Sequence, residues 1–124
     1  MNQMREALLQ AATGPALLAE NSCRQEFCFA ENFVGFGGHF PGYPILPAML
    51  QVLLGQLLAE TLLGKRLQLV TLDRAKFMQQ LRPGDIITVS LTLTEQHGQL
   101  RCSTELRSAE TVAARFVLLL KDGE

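Results

Sequence analysis

No charged residue occurs between Asn32 and Ala59, a run of 28 positions in a chain of 124 that carries 11 Lys plus Arg and 12 Asp plus Glu. With that composition a charge should recur about every five or six positions. The same run holds five of the ten glycines and three of the five prolines, so it is neither a solvated surface stretch nor one long helix. It divides at Pro47. Residues 31–46 are dense in Gly and Pro yet contain Phe33, Phe36, Phe40 and Tyr43, and four aromatics in a loop predict a loop packed inward. From Pro47 the pattern is helical to residue 63, with proline in the first turn and Gly64 as the stop. At about 100° per residue, Gln51, Gly55, Gln56 and Glu60 share no face. The helix is apolar nearly all round, so the fold has to wrap it rather than carry it on a surface. It falls short of the roughly 20 residues that a bilayer span needs and contains two glutamines, which predicts the buried helix of a soluble protein with no membrane insertion.

The wrapping material follows in sequence. Residues 67–77, 85–94, 99–107 and 111–121 have strand character, with tight turns signalled at Pro83-Gly84-Asp85 and His97-Gly98. Upstream, residues 22–29 alternate and place Cys23, Gln25, Phe27 and Phe29 on one face, while residues 2–12 read as a short amphipathic helix ended by Gly14-Pro15. Long antiparallel strands after one buried helix predict an α+β fold, a strongly curved sheet folded around a central helix, within a single domain over 1–124.

Composition narrows the function. A formal charge of −1 supplies no net field for nucleic acid or an anionic membrane. Cys23, Cys28 and Cys102 form no CxxC pair and have no histidine at metal-ligand spacing, so they are expected to be small buried or half-buried side chains in a reduced, cytoplasmic compartment. Arg5 and Ala7 to Leu9 are interrupted by Glu6, Gln10, Gly14 and Pro15 before they make a signal core. No metal or other cofactor is expected, since the histidines, cysteines and acids form no ligand set. Of the two histidines, His97 sits in a turn. His39 lies between Gly37-Gly38 and Phe40-Pro41-Gly42, eight residues ahead of the helix, and is the candidate for chemistry.

Residues 38–50, Gly-His-Phe-Pro-Gly-Tyr-Pro-Ile-Leu-Pro-Ala-Met-Leu, resemble the signature of the FabA/FabZ family of 3-hydroxyacyl-(acyl carrier protein) dehydratases, with His39, Phe40, Pro41, Gly42, Pro44, Ile45, Pro47 and Leu50 in register. Leu72-Asp73-Arg74-Ala75-Lys76-Phe77 and Arg82-Pro83-Gly84-Asp85 extend the resemblance, which covers about 22–121. It implies the hotdog fold, a dimer or larger assembly, acyl tunnels at the dimer interface, and a thioester substrate carried by an acyl carrier protein. Dehydration of such a substrate needs a base for the proton beside the carbonyl and an electrophile for the carbonyl oxygen. The resemblance gives the first role to His39 and the second to the backbone N–H of Ala48, where the family usually has glycine. Phe33, Phe36, Phe40, Met49 and Leu53 are candidate acyl-tunnel lining. Carrier proteins are acidic, so Lys65, Arg66, Arg74, Lys76 and Arg82 are candidate docking charges.

The resemblance breaks at one position. The family places a Glu or Asp fourteen residues after the histidine, and here that residue is Leu53. Gln56, one turn further, can orient a water but cannot titrate, and Glu60 is expected to be a solvated carboxylate near the helix end, about 10 Å along the axis from Leu53. Three activities remain open. The chain is a dehydratase relying on His39 alone. Or it is a catalytically silent acyl-binding subunit, or the histidine-bearing member of a heterodimer with a carboxylate-bearing homologue. Or it is a hotdog thioesterase.

Overall fold

Two strands ahead of the apolar helix and four long ones after it form one six-stranded antiparallel sheet: β1 (Leu17–Leu18), β2 (Ser22–Phe27), β3 (Leu67–Phe77), β4 (Ile87–Gln96), β5 (Gln99–Ser108) and β6 (Thr111–Asp122). Their order across the sheet is β1-β2-β4-β5-β6-β3. The computed structural model describes residues 2–37, 42 and 44–123. Ile87, Val89, Leu91 and Leu93 of β4, Cys102, Thr104 and Leu106 of β5, and Ala114, Phe116, Leu118 and Leu120 of β6 all face inward and are buried. Against them lies α2 (Ala48–Leu63), whose residues Gln51, Val52 and Leu54 through Ala59 are buried together. A helix without a polar face is thus enclosed by the concave side of a sheet, the α+β hotdog arrangement expected.

Close approach is achieved at Gly55. A methyl group there would stand 3.0 Å from the Phe116 ring and 3.1 Å from the Thr104 methyl, so glycine lets α2 settle onto β5 and β6. A first helix, α1 (Asn2–Gln10), packs Leu8 into the same core.

Several boundaries move from their sequence positions. α1 stops at Gln10 rather than 12, where Ala11 and Ala12 donate to Leu8 and Leu9 in a tighter final turn. β2 ends at Phe27 because the Cys28 N–H turns to the carbonyl of Ala11, 3.0 Å away. β4 begins at Ile87 and runs to Gln96. β1 and a short 3₁₀ turn over Val34–Phe36 are additions, both too short for periodicity to reveal. The β4–β5 turn has positive φ at His97 (53°) and Gly98 (77°), as the sequence signal demanded. The β5–β6 turn has the same geometry at Ala109 (52°) and Glu110 (67°), with neither glycine nor asparagine to announce it.

Candidate functional site

The start of α2 is chemically open. Pro47 is its N-cap and offers no side-chain cap; Leu50 and Gln51 donate to the Pro47 carbonyl at 3.0 and 3.1 Å. The N–H groups of Ala48 and Met49 have no backbone partner among the described residues. Both residues are exposed, Met49 to 75%. Two donors unpartnered among the described residues, at the positive end of a sixteen-residue helix, can receive a partial negative charge. Leu53 follows Met49 by one turn and is half-buried on the same stripe.

The approach to this turn is fixed at Leu46, which is 2% exposed. Its N–H donates to the Leu81 carbonyl at 2.8 Å, and its carbonyl accepts from Gln51 Nε2 at 3.1 Å. The inward packing expected of the preceding loop is present in Phe33 and Phe36, which close on Phe29: the three rings lie 4.5, 5.3 and 6.4 Å apart in tilted and edge-to-face pairs. Gly35 is buried where a methyl would strike both the Phe33 ring and Leu50, so the 3₁₀ turn packs directly on the first turn of α2. Phe33 and Phe36 thus pack at the first turn of α2, which also carries Ala48 and Met49, with Leu53 one turn further on. His39 and Phe40, with Tyr43, lie outside the described residues.

The other end of α2 is closed, and it corrects the expectation for Glu60. That carboxylate is not solvated. Its side chain is 11% exposed, its Oε1 receives Arg5 Nη1 of α1 at 2.6 Å, and its Oε2 receives the Leu67 N–H at 3.0 Å. Gln56 donates its Nε2 to the carbonyl of the same Leu67 at 2.9 Å. Two side chains of α2 thus hold both polar groups of the residue that begins β3, and the structure places Gln56 at that junction rather than beside Ala48.

The candidate docking cations separate into groups. Lys65 pairs with Asp122 at 2.6 Å and, with Arg66 and Arg5, lines a groove of about 510 Å³ at the closed end. Arg82 lies in the Pro83-Gly84 turn, where its N–H bonds Asp85 Oδ2 at 2.9 Å. Arg74 and Lys76 border a groove of about 740 Å³ on the sheet's outer face with Ser90, Glu105, Arg115 and Val117. Strand register sets Ser90, Glu105, Arg115 and Lys76 side by side across four strands. Burial alone would raise the Glu105 carboxyl, but hydrogen bonds from Arg107 (2.7 Å) and Arg115 (3.2 Å) hold it below the ordinary range. The acid stays ionised in its ion pairs, and with Arg74, Lys76 and Arg115 against Glu105 the groove lining keeps a positive excess. Neither groove includes the α2 N-terminus. Burial pushes the Cys102 thiol up to about 11 and raises that of Cys23, so both behave as core side chains rather than nucleophiles. Among the described residues no cluster of three or more His, Cys, Asp or Glu could hold a metal ion, and no helix is long and apolar enough to cross a membrane.

Sequence reasoning passed over Gln51, Arg5 and Arg115. Gln51 had a visible signal, an amide in the first turn and a half of an apolar helix. Arg5 and Arg115 had none, because their partners Glu60 and Glu105 lie 55 and 10 positions away.

A family model described as ApeI-like, for the ApeI dehydratase, matches residues 16–115. The chain is 30% identical over 110 residues to the 3-hydroxyacyl-[acyl-carrier-protein] dehydratase FabZ of Lactobacillus helveticus, covering 81% of this chain and 73% of that protein. It is 34% identical over 99 residues to the FabZ of Oenococcus oeni, covering 73% and 66% of the two chains. The dehydratase heterocomplex ApeI:P of Xenorhabdus doucetiae superimposes with a TM-score of 0.70 at 23% identity, over 83% of this chain and 89% of that one, and so shares its fold. A helix sheathed by an antiparallel sheet, a motif leading into an uncapped first turn, and a family match over most of the length agree: the chain belongs to the ApeI-like dehydratases, a FabA/FabZ-type hotdog family.

Proposed function

We propose that the chain dehydrates a 3-hydroxyacyl thioester delivered by an acyl carrier protein, in fatty-acid or related acyl-chain biosynthesis. The uncapped first turn of α2 carries this reading, because it leaves the Ala48 N–H free where the family motif directs a thioester carbonyl. His39 takes the proton from C2 while the carbonyl oxygen gathers charge against that N–H. The C3–O bond then breaks, and the imidazolium returns its proton to the departing hydroxyl, giving water and an enoyl thioester. Gln56 is engaged with Leu67, so the departing group is left to His39 and solvent. Phe33, Phe36, Phe40, Met49 and Leu53 supply apolar wall for the acyl chain. Arg74 and Lys76, beside the ion-paired Arg115, offer positive charge along one groove to an acidic carrier.

A second reading is favoured by Leu53, which stands where the family has its carboxylate. Here the chain is an acyl-binding subunit, completed by a homologue that brings the acid. The free edge of β3 supports pairing with either a second copy or such a homologue, since Val70, Leu72, Phe77 and Met78 are exposed along or just beyond it. The related ApeI:P structure is itself a heterocomplex.

The assay offers purified protein a 3-hydroxyacyl thioester and follows enoyl absorbance and free thiol together. Enoyl formation that disappears in His39→Ala supports the dehydratase. Thiol release would redirect the assignment to a thioesterase. With neither product, the subunit reading gains, and a gain of activity in Leu53→Glu would identify the missing acid.

A further inference from the structure

We infer that Gln51 is a positioning residue of the acyl site, fixing the carbonyl of Leu46 and thereby the place of the free Ala48 and Met49 N–H groups; this rests on the thioester-binding reading of the α2 N-terminus. Gln51 is 4% exposed. Its Nε2 donates to the Leu46 carbonyl at 3.1 Å, while its Oε1 is buried and meets no hydrogen-bond partner among the described residues. The opposite amide orientation would set two acceptors against each other, so the donor must face Leu46.

A buried acceptor without a donor works against folding. Methionine, of similar volume, would suit this mostly apolar helix without that cost. What the amide contributes is therefore the bond to Leu46. That peptide is also held from its other side, since the Leu46 N–H donates to Leu81 at 2.8 Å. Between the braced carbonyl and the first free N–H stands only Pro47, whose ring restricts φ, here −62°. Gln51 shares a helix face with Ala48, and helical side chains lean toward the N-terminus, so its amide reaches back over that turn to Leu46. Donors aimed at a developing oxyanion tolerate little displacement, about 1 Å costing up to roughly 10²-fold in rate.

The test compares wild type with Gln51→Met. Carbonyl-labelled butanoyl-pantetheine, which has no hydroxyl to lose, is bound and its thioester stretch recorded by difference infrared spectroscopy. The wild type is expected to lower the stretch, and Gln51→Met to lose at least half of that shift without losing thermal stability. Turnover of 3-hydroxybutanoyl-pantetheine should fall at least tenfold in kcat with KM within twofold. A folded Gln51→Met with the full shift, or a wild type with none, overturns the inference. Should the methionine variant fail to fold, Gln51→Asn, one methylene too short to reach Leu46, must show the same loss of shift, and a full shift there overturns it equally. A wild type that lowers the stretch but forms no enoyl product refutes the dehydratase reading and leaves the role of Gln51 standing.

Discussion

The two ends of α2 are built on opposite terms. At the C-terminal end Gly64, in the left-handed region at φ 70°, donates to the Glu60 carbonyl at 2.8 Å; Gln56 and Glu60 hold Leu67, and Arg5 covers Glu60. At the N-terminal end there is no side-chain cap, and two N–H groups on exposed residues have no backbone partner among the described residues. A Ser or Asp in place of Pro47 would have capped the Met49 N–H and contributed about 1 kcal/mol. One end is arranged for stability, and the other leaves two donors without a partner among the described residues.

This division can be broken by experiment. The largest effect is expected from Ala48→Pro. Proline is well tolerated at the first helical position, and Pro47 already has the extended ψ (149°) that a residue before proline requires, so the substitution deletes the N–H while sparing the fold. Dehydration should fall by roughly 10²–10³-fold with little change in the unfolding midpoint. Unchanged turnover would remove Ala48 from the site. Next is Glu60→Ala, which strands the part-buried Arg5 and the Leu67 N–H. It should cost about 2–3 kcal/mol by denaturant unfolding, leaving kcat of the folded fraction near wild type; a stable but inactive variant would mean that the closed end takes part in the chemistry. Gly55→Ala lies between the ends and should destabilise by about 1–3 kcal/mol through crowding against Phe116 and Thr104. The smallest loss, about 1 kcal/mol, is expected for Gly64→Ala, from the left-handed backbone alone, and a calorimetric scan would resolve it.

How legible these features were depends on how far apart their causes lie in sequence. The buried helix and its glycine stop were read from a continuous window, because burial on all sides demands an unbroken apolar run. β3 was placed at Leu67–Phe77, as expected, since alternation and flanking turns are local. The open N-terminus was reached only through the motif around His39; nothing in the periodicity says that Ala48 lacks a cap. Glu60 was misread as solvated because its partner Arg5 is 55 residues away on a helix whose docking no local pattern specifies. The turn at Ala109-Glu110 fell between the expected strands, but its left-handed geometry carried no signal, because the flanking hairpin imposes it on residues that do not prefer it.

The two margins of the sheet are also unequal. β1, at one margin, is two residues long, whereas β3, at the other, is eleven residues long and interrupted near Arg74, whose φ is 52°. Only β3 presents enough backbone for another chain to join. A chain joining this sheet by strand addition therefore has one long margin to meet, on the β3 side, and only the two residues of β1 on the other.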